Sequence, residues 1–112
     1  MRSDRDRLLD IREAIAKIDQ HTAPDIDAFA DDEMQQVWVI YHLQIVGEAV
    51  YGLSQRFKAN HPGISWEQII GMRHVLVHGY FEIDLDIVWA VIEKDLPSLK
   101  IAIEAILLQP AD

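Results

Sequence analysis

Arg73-His74-Val75-Leu76-Val77-His78-Gly79-Tyr80 brings a guanidinium, two imidazoles and a phenol into eight residues, with apolar side chains between them to pin the segment to a core. That set suits cleavage of RNA without a metal. A histidine titrates near neutral pH and can take the proton of a 2′-hydroxyl. An arginine stays charged and forks onto phosphate oxygens, where it stabilises the charge that builds in the transition state. The attacking group would be the substrate's own 2′-OH, which DNA lacks, and the products a 2′,3′-cyclic phosphate and a 5′-hydroxyl. Arg73 and His78 are therefore the catalytic candidates. Five residues apart, they stand about 140° apart around an ideal helix. They meet only if the helix frays at Val77; otherwise they line opposite walls of a groove. A two-fold axis close by would bring two copies of each together.

Each of these residues also has a structural explanation. Arg73 can pair with an acid such as Glu48. His78 can cap the C-terminus of its own helix, where the helix end favours its protonated form and a nearby arginine opposes it. The bare residues leave both readings open. His74 and His78 at i,i+4 match a metal-ligand spacing, but no glutamate stands beside His74 and the chain has no cysteine, so no metal or other cofactor is assigned. Tyr80 is either an aromatic lid on the fold or an exposed phenol beside the site, open to modification by another enzyme. His21, His42 and His61 stand apart from the motif.

The elements that must position these groups read as helices throughout. At 112 residues with half of them apolar, the chain is expected to form one domain over residues 1–112. Small helical domains of this kind often complete their core by oligomerising. With no cysteine, no apolar run of membrane-spanning length and a charged N-terminus that leads into a helix, a cytoplasmic protein is expected. The net charge of −9 argues against non-specific nucleic-acid binding, which runs on basic surface. It is unevenly spread: residues 51–81 are the one net-positive segment, at +2, and they contain the motif.

Ser3 is placed to cap a first helix that carries Leu8, Ile11, Ile15 and Ile18 on one face and stops near Gln20. Asp25 to Glu33 reads as an acidic linker or short helical turn anchored by Ile26 and Phe29. A long central helix is expected from about Glu33 to Asn60, with more than one apolar face, one for its own subunit and one for a partner. Gly47 and Gly52 inside it each cost about 1 kcal/mol of helix propensity, which close backbone packing would explain. His61-Pro62-Gly63 breaks that helix. Ser65 and Gln68 are spaced as a capping box, with Ile64 and Ile69 as a hydrophobic staple, for a helix ending near His78 with Gly79 as its cap. Tyr80 to Ile83 reads as an extended link. Asp84 starts the next helix, and Asp95-Leu96-Pro97 kinks or restarts it.

Gln44-Ile-Val-Gly47-Glu48-Ala49, Leu53-Ser54, His61-Pro-Gly-Ile-Ser-Trp66, Gly71-Met-Arg73 through Tyr80, Ile83-Asp-Leu-Asp-Ile-Val-Trp89 and Asp95-Leu-Pro97 together resemble the HEPN superfamily. Within it the resemblance is to the HepT-like toxins of HEPN–MNT (minimal nucleotidyltransferase) toxin–antitoxin modules. It covers nearly the whole chain, and the family's R-x4-H-x-Y pattern falls on Arg73, His78 and Tyr80, with His74 where the family often has Asn. The resemblance implies an all-α, up-down bundle of four or five helices that forms a homodimer, with Arg73 and His78 in a cleft at the dimer interface. It implies a metal-independent endoribonuclease, the toxin of a type VII-like module. The implied partner is an MNT-type nucleotidyltransferase antitoxin that transfers AMP from ATP onto Tyr80. Added bulk and negative charge beside the cleft would silence it. Glu48 and His74 are possible supports of the site. The alternative is a non-catalytic helical module that presents a nucleotide or substrate to a partner nucleotidyltransferase, with Arg73 as a phosphate clamp.

Overall fold

Leu8, Ile11, Ile15 and Ile18 recur at helical spacing, and the helix they form buries all four almost completely. At about 1.5–3 kcal/mol for each large apolar side chain buried, this stripe outweighs anything helix propensity supplies. The computed structural model describes residues 2–78 and 83–109, and of Val77 and His78 the backbone alone. Its helices are α1 (Asp4–His21), α2 (Ile26–Ala30), α3 (Glu33–Gly52), α4 (Gln55–Asn60), α5 (Trp66–His78), α6 (Leu85–Ala90) and α7 (Leu96–Leu107), with a π-helical turn at Val91–Asp95 between the last two. The described residues contain no strand. No helix among them is long and apolar enough to cross a membrane.

Local capping starts α1. The Ser3 hydroxyl accepts the Asp6 N–H at 3.1 Å, and the Asp6 carboxylate accepts the Ser3 N–H at 3.2 Å. The backbone bond from Ser3, then the bond with its side chain, hold the Asp6 carboxyl below its usual range. The cap is therefore complete above the ordinary carboxylate range and is lost as pH falls through the lowered Asp6 value.

Cross-helix bonds set the directions of the bundle. Trp38 Nε1 donates to the Lys17 carbonyl at 3.0 Å, while Ser54, further along, bonds to Asp4 near the start of α1. α1 and α3 thus run antiparallel. α7 returns along α1, with Arg5 reaching the Leu107 carbonyl at 3.4 Å and Lys100 reaching Asp19 at 3.5 Å. Ile11, Ile18, Val39, Leu43, Val46, Val50 and Ile103 have no accessible surface and form the centre. The acidic segment after α1 is a short helix, α2, capped by Asp25, whose carboxylate accepts the Ala28 N–H at 2.8 Å. It drives Phe29 fully into the core against Trp89 of α6.

Two local expectations are corrected. The helix expected over Glu33 to Asn60 is two helices, broken at Leu53 and Ser54. Ser54 adopts extended backbone (φ −64°, ψ 151°) and caps α4 by accepting the Phe57 N–H at 3.1 Å. The break is held from outside: Asp4 takes the Ser54 N–H at 2.8 Å on one oxygen and its hydroxyl at 2.7 Å on the other. The Ser65–Gln68 capping box does not form; neither side chain makes a hydrogen bond among the described residues. What fixes the start of α5 is Trp66, whose buried indole N–H lies 3.2 Å from the Lys58 carbonyl and 3.0 Å from that of His61. It closes the end of α4 and docks α5 on it.

The helix restarts at Asp95-Leu96-Pro97 as expected: after the π-helical turn, α7 begins at Leu96 with Pro97 in its first turn. The Leu96 N–H reaches back five residues to the Val91 carbonyl. This widened turn makes room for a proline ring that would clash in α-geometry. Gly79, Tyr80 and the link to Ile83 lie outside the described residues.

Replacing Ser54 by alanine removes a helix cap and the Asp4 side-chain bond together. Urea denaturation of Ser54→Ala is expected to show a loss of about 1–2 kcal/mol with an unchanged m-value.

Candidate active site

The site is built on the face that α3 turns to α5. Gly47 lies directly against Arg73: a Cβ placed at residue 47 would overlap the Arg73 Cβ and come within 3.0 Å of its Cγ and 3.2 Å of its Cα. The expected close packing at this glycine is present, and it is the Arg73 stem that fills the space. One turn earlier on α3, Gln44 Nε2 donates to the Leu76 carbonyl at 3.2 Å. Leu76 lies in the last turn of α5 as described, so Gln44 ties down the part of the helix that carries the histidine. One turn later, Tyr51 places its ring under the guanidinium, whose carbon lies 5.4 Å from the ring centroid, a cation–π arrangement.

Arg73 is half-buried, and its Nε is buried with no hydrogen-bond partner. The ion pairs among the described residues are Arg2–Asp10, Lys17–Glu13 and Lys100–Asp19. None involves Arg73. Glu48 is exposed on α3, and the Arg73–Glu48 pair offered as a structural explanation is not formed. Among the described residues no acid offsets the Arg73 charge, and the side chain is held by packing and by an aromatic face. His74 follows it and is exposed. The backbone of α5 continues through His78, which places Arg73 and His78 on one helix; the His78 side chain and Tyr80 lie outside the described residues. Among the described residues no group of three His, Cys, Asp or Glu is placed to hold a metal ion.

The other histidines serve packing. His42 is buried, with Nδ1 2.7 Å from the Trp38 carbonyl. His21 packs edge-on against Trp38, and His61 against Phe57. Gln44 and Tyr51 were not singled out as site residues from sequence. The available signal was spacing: they lie three residues before and four after Gly47, on the helix face that the glycine turns to α5.

An apolar groove of about 490 Å³ runs along the other flank of α5, between Ile69, Met72 and Val75 on one side and Ile87, Val91 and Leu99 on the other, and Arg73 does not line it.

The described residues form an all-helical bundle, compatible with the architecture of a HEPN domain. The family model described as "Ribonuclease HepT-like" matches residues 11–106, and the chain belongs to that family. It is 40% identical over 100 residues to "Probable ribonuclease HepT" of Thermococcus cleftensis, covering 88% of this chain and 91% of that one. It is 31% identical over 100 residues to a protein of Methanocaldococcus jannaschii named as an RNase, covering 88% and 92%. A protein of Caldanaerobacter subterraneus, also named as an RNase, is 35% identical over 79 residues, 70% of each chain. No solved structure matches the chain at a significant level.

Gly47→Ala is expected to force α3 and α5 apart and cost about 1–3 kcal/mol, although alanine is the better helix former. A thermal melt followed at 222 nm checks the direction: a rise in Tm would show that the two helices do not touch there.

Proposed function

We propose that this protein is a metal-independent endoribonuclease that works as a homodimer. The observation that carries the reading is the un-neutralised Arg73, fixed between Gly47 and the Tyr51 ring on the helix that ends at His78, in a chain of a ribonuclease family. Arg73 holds the scissile phosphate through its free N–H groups and stabilises the dianionic transition state. His78 removes the proton of the 2′-hydroxyl. The 2′-oxygen attacks phosphorus, the bond to the 5′-oxygen breaks, and that oxygen takes up a proton from a second histidine or from water. A 2′,3′-cyclic phosphate and a 5′-hydroxyl remain.

The second wall of the cleft comes from another copy of the chain. Met34, Val37 and Tyr41 on α3 are 84%, 64% and 59% exposed. With Glu48 they fall within about 60° of one another around the helix, opposite the buried face. An apolar line of this kind on a small domain marks an interface. Pairing two copies along it sets their Arg73 residues on either side of one seam.

The proposed physiological role is that of the toxin in a toxin–antitoxin pair, acting on RNA in the cytoplasm. The partner is a nucleotidyltransferase: the Tyr80 oxygen attacks the α-phosphorus of ATP, pyrophosphate leaves, and the tyrosyl-AMP blocks the cleft by bulk and charge. One observation favours a second reading. A net charge of −9 opposes RNA binding, so a nucleotide-presenting module with Arg73 as its clamp is the alternative.

Purified, unmodified protein in EDTA is expected to cut single-stranded RNA and leave cyclic-phosphate ends. His78→Ala, at unchanged helix content, is expected to cut about 10²–10⁴-fold more slowly. Intact RNA with the wild-type protein, whose mass shows no AMP, would select the binding module.

Light scattering is expected to give twice the chain mass of 12.9 kDa. Val37→Asp combined with Tyr41→Asp is expected to give a helical monomer. A wild-type monomer would remove the composite cleft.

A further inference from the structure

Tyr51 is 62% exposed, yet its ring is not idle. The Arg73 guanidinium lies over it at 5.4 Å, and the residue makes no contribution to the core. Around α3 it sits about 60° to the side of the line of Met34, Val37 and Tyr41, toward the face where Gly47 meets Arg73. It therefore borders the proposed seam and adjoins the proposed phosphate clamp.

We propose that Tyr51 is the base-stacking platform of the site. Arg73 takes the scissile phosphate, and the planar Tyr51–Arg73 pair stacks an unpaired base of the same RNA strand. This deepens the ribonuclease reading and rests on it for the identity of the substrate. Recognition of RNA by sequence or strandedness works mainly through splayed bases stacked on aromatic rings or guanidinium planes, and here a guanidinium already lies over an aromatic ring, 5.4 Å from its centroid. Stacking requires a base out of its duplex, so the substrate class is single-stranded RNA or the loop of a folded one. Stacking also answers the charge difficulty. A chain at −9 cannot draw affinity from a broad basic surface, whereas the stacking contribution comes from surface contact and is sequence-tolerant.

The simpler role for Tyr51 is to restrain Arg73, and two readouts separate the roles. The first is binding of single-stranded DNA that carries 2-aminopurine, a probe with bases and phosphates but no attacking hydroxyl. Wild type and Tyr51→Phe are expected to bind it with quenching of its fluorescence. Tyr51→Ala is expected to bind it about 10-fold or more weakly and without the quench, and the probe annealed to its complement should not be quenched. The second is cleavage kinetics on single-stranded RNA, where Tyr51→Ala should raise KM by a similar factor, beyond any fall in kcat from a loosened Arg73, and Tyr51→Phe should restore KM.

Equal binding and quenching by Tyr51→Ala would overturn the proposal, as would a loss of kcat at constant KM, which assigns the ring to Arg73 alone. Failure of the two readings is distinguishable. Wild-type protein that quenches the probe but cuts no RNA retains the platform and loses the nuclease. Wild-type protein that cuts, with Tyr51→Ala cutting and binding equally well, retains the nuclease and loses the platform.

Discussion

The contact between Gly47 of α3 and Arg73 of α5 is the constraint on which the site depends. Only a residue without a Cβ lets the two helices approach until the arginine stem lies on the opposing backbone. That approach also brings Gln44 within reach of the Leu76 carbonyl and Tyr51 under the guanidinium. Three residues of one helix thus hold the stem, the charge and the far end of α5. An arginine placed this way needs no carboxylate to fix it and keeps its charge for an anion. A salt bridge would have fixed the same side chain and cancelled its use.

Around this contact the bundle is a rigid support. α1 buries one continuous stripe against α3, and α7 closes on α1. Trp66 couples the end of α4 to the start of α5, so α5 is tied at its first residue by an indole and near its last turn by an amide. The chemical groups sit on a helix held at both ends rather than on a loop, which suits a site that works by positioning.

What was legible in the sequence was whatever is written locally. The stripe of α1, the Ser3 cap, the break at His61-Pro62-Gly63 and the cap at Asp84 are each decided by neighbours within a few residues, and each is present. Gly47 was legible as a point of close approach because a glycine inside a helix asks for a reason. The departures come from contacts distant in sequence. Ser54 ends the central helix only because Asp4, fifty residues away, holds its N–H and hydroxyl. Ser65 and Gln68 have the spacing of a capping box, but a single indole bond pair from Trp66 sets the helix start instead. Arg73 had a plausible acid in Glu48, one residue past Gly47; on a helix, that one residue turns it about 100° away and out to solvent. Tyr51 carried no motif, and only the packing of α5 on α3 gives it a neighbour.

The proposed role of Arg73 is that of a forked phosphate clamp rather than part of the packing. Single-turnover cleavage of one RNA by wild type, Arg73→Lys and Arg73→Ala, each first shown to retain its helix content, tests it most directly. Arg73→Ala is expected to lose about 10²–10³-fold in rate. Arg73→Lys, which keeps the charge but not the fork, should recover only part of that loss. Cleavage by folded Arg73→Ala at the wild-type rate would contradict the account.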